Sequence, residues 1–140
     1  MKANLSEEKK AAIINDIRQL FDFSTDGITE LNAEKVFSIF SSKEGAKYVR
    51  NGHLYSSIET AKNQFAEWFS RTNAVEQSIT CEPVIYDIIN ENTVLMTTIG
   101  TFRRKNVIIP EHNPWIVGYT LLWIKEDEGW KVLNMHNSWE

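Results

Sequence analysis

Cysteine is nearly absent from this chain, since Cys81 is the single thiol among 140 residues. One cysteine cannot form an internal disulfide, and no Cys/His spacing in the sequence resembles a zinc site. Cys81 stands in an apolar, β-rich segment, which favours a buried, unreactive thiol over a nucleophile. Glycine-rich phosphate loops are missing as well. The sequence therefore predicts neither a bound metal nor a cofactor.

Excess positive charge is also lacking, because 15 Lys and Arg face 19 Asp and Glu and the net charge is −4. Such a surface offers phosphates little to bind, so nucleic acid is not an expected partner. The one basic run, Arg103 to Lys105, is typical of a solvated strand end. No segment approaches ~20 apolar residues, and the first residues lack the apolar core of a signal peptide. No membrane contact is expected, and a cytoplasmic location is the default expectation.

Aromatic side chains, in contrast, are abundant: the chain has 5 Trp, 4 Tyr and 7 Phe. Such a number indicates a large core, an apolar cavity or an interface. The composition, 42% hydrophobic and 24% charged, is that of a globular protein rather than a disordered one. No repeat or linker divides the sequence. A single domain over residues 1–140 is therefore predicted.

The first half of the chain has helical patterns, each preceded by a residue that can cap a helix. Ser6, Asn32 and Ser57 are these caps, because their side-chain oxygens can accept the first unpaired backbone N–H groups. The first helix is expected to end near residues 21–24, where the turn-like "STDG" follows. Between the second and third helices, Asn51-Gly52 predicts a tight turn joining two short extended pieces.

From Glu76 onward the pattern changes to long segments rich in β-branched and aromatic residues. Four strands in an antiparallel meander are predicted: "SITCEPVIYDII", "TVLMTTIGTF", "WIVGYTLLWIKE" and "WKVLNMHNSW". Helices precede strands, so the fold class is α+β. Several strands are apolar on both faces, and such an antiparallel sheet needs cover on both sides. The helices cover one side, and a second copy of the chain is expected on the other, which gives a homodimer.

Thr120-Leu-Leu-Trp123 is followed, after a charged turn, by "GWKV" and then by His136-Asn-Ser138. With these residues the sequence resembles the nuclear transport factor 2-like superfamily, and within it the SnoaL-like domains. The resemblance implies three N-terminal helices packed into the concave side of a strongly curved antiparallel sheet. This is a cone with an internal pocket open at one end, and its convex face usually forms a dimer.

Alternation along the last strand, combined with the implied cone, assigns its two faces. The residues expected to look into the pocket are Trp130, Val132, Asn134, His136 and Ser138. Those expected to face a partner are Leu133, Met135 and Trp139. Ligand pockets are mostly apolar with a few polar anchors, which this inward face would supply. The candidate ligand-binding residues are Asn134, His136, Ser138, Trp130, Thr98, Met96, Thr120, Trp68 and Tyr48.

Three functions remain open from the sequence. The first is a dimeric domain whose largely apolar pocket binds a small organic molecule. The second is a lyase or isomerase that acts on a small apolar substrate, with His136 as the catalytic general base and Tyr48 or Tyr119 as a donor. No Asp or Glu falls in "TVLMTTIGTF" or "WIVGYTLLW", where relatives often keep an acid, so the isomerase constellation of the superfamily is not matched. Thr98 stands where kinase association domains place a basic residue, which argues against their charged ligand. The third function is a protein-interaction module that recruits another protein through its apolar face.

Overall fold

The computed structural model describes residues 4–71, 76–105 and 114–139. The helices in these ranges are α1 (Glu7–Thr29), α2 (Ala33–Phe37) and α3 (Ile58–Arg71). None of them is long and apolar enough to cross a membrane.

The predicted caps precede all three helices. The side chains of Ser6, Asn32 and Ser57 each accept the backbone N–H three residues further on, at 3.0 to 3.1 Å. Replacing a cap of this kind by Ala costs about 1 kcal/mol of stability. The starts of the helices are therefore determined by local sequence.

Helix α1 runs past its predicted end near residues 21–24 and continues to Thr29. The turn-like "STDG" stays helical because α2 crosses α1 there. The Ser24 hydroxyl donates to the Val36 carbonyl at 2.6 Å, and a Cβ on Gly27 would lie 2.8 Å from the Val36 nitrogen. The polar and small residues of "STDG" therefore serve a helix crossing, and the predicted end of α1 is wrong.

The strands form one sheet of six members in the order β2-β1-β6-β5-β4-β3. They are β1 (Lys47–Arg50), β2 (His53–Leu54), β3 (Gln77–Asn90), β4 (Thr93–Arg104), β5 (Trp115–Glu126) and β6 (Gly129–Trp139). The four long strands pair antiparallel as predicted. Strand β1 pairs with β6 in parallel, however, so the expectation of a purely antiparallel sheet is wrong and the sheet is mixed.

A bulge in β6 reverses which face of the sheet each later side chain points to. Val132 pairs with Trp123 and Asn134 pairs with Leu122, so Leu133 is an extra residue with no partner of its own. Because side chains alternate along a strand, one extra residue exchanges the two faces from that point on. The final residues of β6 therefore point the opposite way from the residues that strict alternation predicts.

The inner face of the sheet packs against the helices and forms the core. Ile17 of α1 and Trp123 of β5 are fully buried, and Phe65 of α3 is 8% exposed. Burying a side chain of this size is worth about 1.5–3 kcal/mol, which fixes the helices on this face. The outer face carries exposed apolar side chains: Ile85, Ile99 and Ile116 are 52%, 41% and 54% exposed.

Candidate functional site

A cavity of about 80 Å³ lies between the inner face of the sheet and the helices. Its volume holds several waters or one small ring, since one water needs about 10–15 Å³ on the same measure. Its wall is mainly aromatic; the aromatic members are Phe21, Tyr48, Phe65, Trp68, Phe69, Phe102, Trp115, Tyr119 and Trp139. We refer to this space, with its lining, as the cavity.

A buried hydrogen-bonded pair forms one polar feature of the cavity. Tyr48 of β1 and Asn137 of β6 are each 4% exposed, and the Asn137 Nδ2 donates to the Tyr48 hydroxyl at 2.8 Å. The Asn137 Oδ1 is buried and has no hydrogen-bond partner among the described residues. Rotating the amide by half a turn would let Oδ1 accept from the hydroxyl and leave Nδ2 unpaired instead. Either way, one end of the amide is free for a ligand or a water.

Arg50 brings a positive charge to the cavity. Its guanidinium carbon lies 4.5 Å from the ring centre of Trp139 and 5.6 Å from the ring centres of Phe65 and Trp68. Such cation–π contacts are worth about 0.5–2 kcal/mol each, depending on desolvation. Arg50, Trp68 and Trp139 are all partly exposed, so this end of the cavity reaches the surface. Among the described residues of the lining, Arg50 is the only charged one.

Tyr48 and Tyr119 are both held in the protonated form. Burial is the largest cause and raises the pKa of each hydroxyl well above its ordinary value, whereas the charge of Arg50 acts in the other direction. Both groups are therefore hydrogen-bond donors at neutral pH, and neither is a ready base. The Tyr119 hydroxyl makes no hydrogen bond to another described residue.

The prediction that Asn134, His136 and Ser138 face the pocket is wrong. All three are exposed on the outer face of the sheet, together with Thr120, which pairs with His136. The bulge at Leu133 is the physical reason. It turns the intervening residues inward, so that the residues of β6 that line the cavity are Met135, Asn137 and Trp139. The expectation that Met135 and Trp139 face a partner is therefore wrong as well.

The remaining candidates divide between the cavity and the core. Tyr48 and Trp68 line the cavity, as predicted. Trp130, Met96 and Thr98 point inward but are 3%, 0% and 1% exposed and lie outside the lining. Thr98 uses its hydroxyl to donate to the Pro83 carbonyl at 2.7 Å, so it is satisfied within the core. Binding by any of these residues stays a prediction.

Sequence reasoning missed most of the lining, including two of its polar residues, Arg50 and Asn137. Arg50 stands two positions after Tyr48 in "YVRNG", so simple alternation would have placed both on one face. The inward orientation of Arg50 was therefore predictable from the sequence. The orientation of Asn137 was not predictable, because it depends on a one-residue bulge that no neighbouring glycine or proline marks.

The acid and base groups that the predicted chemistry needs are not brought together in the cavity in the described part of the chain. No Asp, Glu or His belongs to the cavity lining among the described residues. Of the acids near the end of α1, Asp22 pairs with Arg18 at 2.9 Å and Glu30 with Lys35 at 2.6 Å. Burial raises the pKa of the Cys81 thiol to about 11, so this thiol stays protonated at neutral pH.

Comparison with solved structures identifies the fold. A candidate scytalone dehydratase from Novosphingobium aromaticivorans superimposes with a TM-score of 0.78 at 11% identity, covering 96% of this chain and 89% of the other. The hexachlorocyclohexane dehydrochlorinase LinA-type3 of Novosphingobium barchaimii gives 0.77 at 15% identity, covering 96% and 91%. A candidate dehydratase of the NTF2-like family from Streptomyces avermitilis gives 0.76 at 13% identity, covering 94% and 97%.

The chain thus has the nuclear transport factor 2-like fold that its sequence resembles, and the predicted α+β class is confirmed. Identities this low establish the fold alone. The sequence matches no model of a known protein family and no curated protein.

Proposed function

We propose that this chain binds a small organic molecule in the cavity and does so as a homodimer. The observation that carries the proposal is an aromatic-walled cavity lined by the buried Tyr48–Asn137 pair, in which one end of the amide has no hydrogen-bond partner among the described residues. Apolar walls with one or two placed polar groups are the usual composition of a small-molecule site. We further infer that the sheet bends around the helices as a cone, with the cavity at its open end.

The dimer is proposed from the outer face of the sheet. Ile85, Ile99 and Ile116 are exposed on three neighbouring long strands, and His136 and Ser138 lie on the same face on the fourth. Apolar and neutral polar side chains dominate there, and Asp87 and Arg103, two exposed charged residues on this face, have opposite signs, so two copies can meet without strong like-charge repulsion. A second copy is favoured over an unrelated protein because a two-fold pairing needs only this one surface.

A lyase-type activity is the second candidate, and the names of the structurally similar proteins favour it: two are candidate dehydratases and one is a dehydrochlorinase. Such eliminations need a base beside the substrate. His136 lies on the outer face, so the base of this candidate would have to be another group. Binding without chemistry is the function that the described lining supports better.

The test is binding of para-fluorotoluene, a neutral single ring, followed by fluorine NMR. The variant Val117→Phe fills the cavity, because Val117 lines it and is 6% exposed. The matched control is Ile116→Phe, which adds the same ring to the adjacent, outward residue. We expect saturable binding to the wild type and to the control and its loss in Val117→Phe. Equal binding by all three folded proteins, or binding by none, would refute the cavity as the site.

A further inference from the structure

We infer that the ligand of the cavity carries one carboxylate, that Arg50 holds this group, and that the rest of the ligand is no larger than a small ring. The inference rests on the proposed function, because it specifies what enters the same cavity.

The first argument is charge. Arg50 forms no ion pair with a described residue and is the only charged side chain among the described residues of the lining. Arg50 is partly exposed, but it stands beside apolar walls, where a negative group brought by a ligand is attracted more strongly than in open water. The uncharged Thr98 argues against a charged ligand at its own position, but Arg50 supplies the charge from another strand.

The second argument is the way in which Arg50 is held. Three aromatic rings, Trp139, Phe65 and Trp68, surround its guanidinium within 5.6 Å. These contacts position the group but offer no oxygen acceptor to its N–H donors, and no side-chain hydrogen bond joins Arg50 to a described residue. A planar guanidinium that is fixed in this way presents paired donors to a carboxylate, which accepts two parallel hydrogen bonds.

Two further polar groups near Arg50 can form hydrogen bonds with a ligand. The Asn137 amide, one end of which has no partner among the described residues, and the Tyr119 hydroxyl both belong to the lining. Burial raises the pKa of Tyr119, so the hydroxyl stays protonated and donates instead of competing for the positive charge. The amide of Asn137 can turn either an N–H or its oxygen toward a ligand.

Charge and size together select a carboxylate over a phosphate. One arginine balances one negative charge, whereas a phosphate monoester carries about −1.5 to −2 at pH 7. A cavity of about 80 Å³ is smaller than the 300–1,000 Å³ typical of sites for drug-sized ligands. The predicted class is therefore a monocyclic or similarly compact monocarboxylic acid.

The experiment compares para-fluorobenzoate, its neutral isostere para-fluorobenzamide, and the apolar para-fluorotoluene on the full chain by fluorine NMR titration. We expect the wild type to bind the benzoate at least about tenfold more tightly than the benzamide. Arg50→Met should weaken benzoate binding about 10- to 100-fold and leave para-fluorotoluene nearly unchanged. Arg71→Met is the matched control, because Arg71 is exposed on α3, outside the lining, and its loss removes the same charge.

Each outcome decides between the two proposals. Binding of para-fluorotoluene with equal affinities for benzoate and benzamide overturns the carboxylate inference and leaves the cavity as a site. If Arg50→Met fails to fold, the wild-type comparison of benzoate with benzamide is sufficient to decide this point. Equal losses of benzoate affinity in Arg50→Met and Arg71→Met would also overturn the inference, since a general charge effect would explain them. Failure of all three molecules to bind overturns the proposed function and the inference with it.

Discussion

The buried pair of Tyr48 and Asn137 gives the sharpest prediction about stability. Tyr48→Phe removes the hydroxyl and leaves both ends of the Asn137 amide unpaired, whereas one end is already unpaired in the native protein. Leaving a buried polar group without a partner costs about 1–3 kcal/mol. Both residues are 4% exposed and shielded from bulk solvent, so Tyr48→Phe should lower the free energy of unfolding by about this amount.

The double variant separates a coupled pair from two independent contacts. Asn137→Leu alone leaves the Tyr48 hydroxyl without its hydrogen-bond partner and should lower the free energy of unfolding by about 1 kcal/mol. Tyr48→Phe with Asn137→Leu replaces the whole pair by apolar groups and should be within about 1 kcal/mol of the wild type. A coupling free energy of about 1–3 kcal/mol is therefore expected from the cycle.

The assay is urea unfolding of all four proteins at one protein concentration, because a dimer makes stability concentration-dependent. Tyr55→Phe is the control. Tyr55 is also buried and stacks on Tyr48 at 5.4 Å, but its hydroxyl makes no hydrogen bond to a described residue. Its loss should change stability by less than about 0.5 kcal/mol. If the loss of stability in the double variant equals the sum of the losses in the two single variants, the pair is not coupled and the prediction is refuted.

Three further predictions concern packing, ionisation and assembly. Gly100→Ala should destabilise by about 1–3 kcal/mol in thermal unfolding, because its Cβ would lie 2.9 Å from the Tyr119 ring; an unchanged transition would contradict this contact. Stability should fall as pH rises above about 10, since the unfolded chain ionises its tyrosines there while burial keeps the raised pKa of Tyr48 and Tyr119 in the folded protein. Near-ultraviolet titration should show late-ionising tyrosines, and ionisation of all of them near pH 10 in a folded protein would be the contrary result. Ile99→Asp should convert the proposed dimer to a monomer by light scattering, with Leu54→Asp in β2 as control; a dimer in both would exclude the outer face as the interface.

Much of this fold is readable because its signals are local. Ser6, Asn32 and Ser57 precede helices because a cap acts within three residues. The hairpin at Asn51-Gly52 is predictable for a similar reason, and both residues have the positive φ that such a turn needs, 47° and 86°. Turn and cap chemistry is thus visible in a few letters.

The candidate site is less readable because it depends on tertiary geometry. Alternation places His136 inward and Met135 outward, and the extra residue Leu133 reverses both. The end of α1 is misplaced by sequence reasoning because Gly27 permits a close approach by α2, which no neighbouring residue announces. The inward position of Arg50 could be predicted, since it stands two residues after Tyr48 on the same strand and so points to the same face. A one-residue register change, by contrast, moves an entire predicted site to the other side of a sheet.

The central claim is that ligands enter the cavity between the sheet and the helices and not a site on the outer face. Nitrogen–proton correlation NMR with para-fluorotoluene tests this claim most directly. We predict saturable shifts of the Asn137 side-chain amide and of the Trp68 and Trp139 indoles, with His136 unaffected. Shifts centred on His136, or no shift at any of these groups, would contradict the claim.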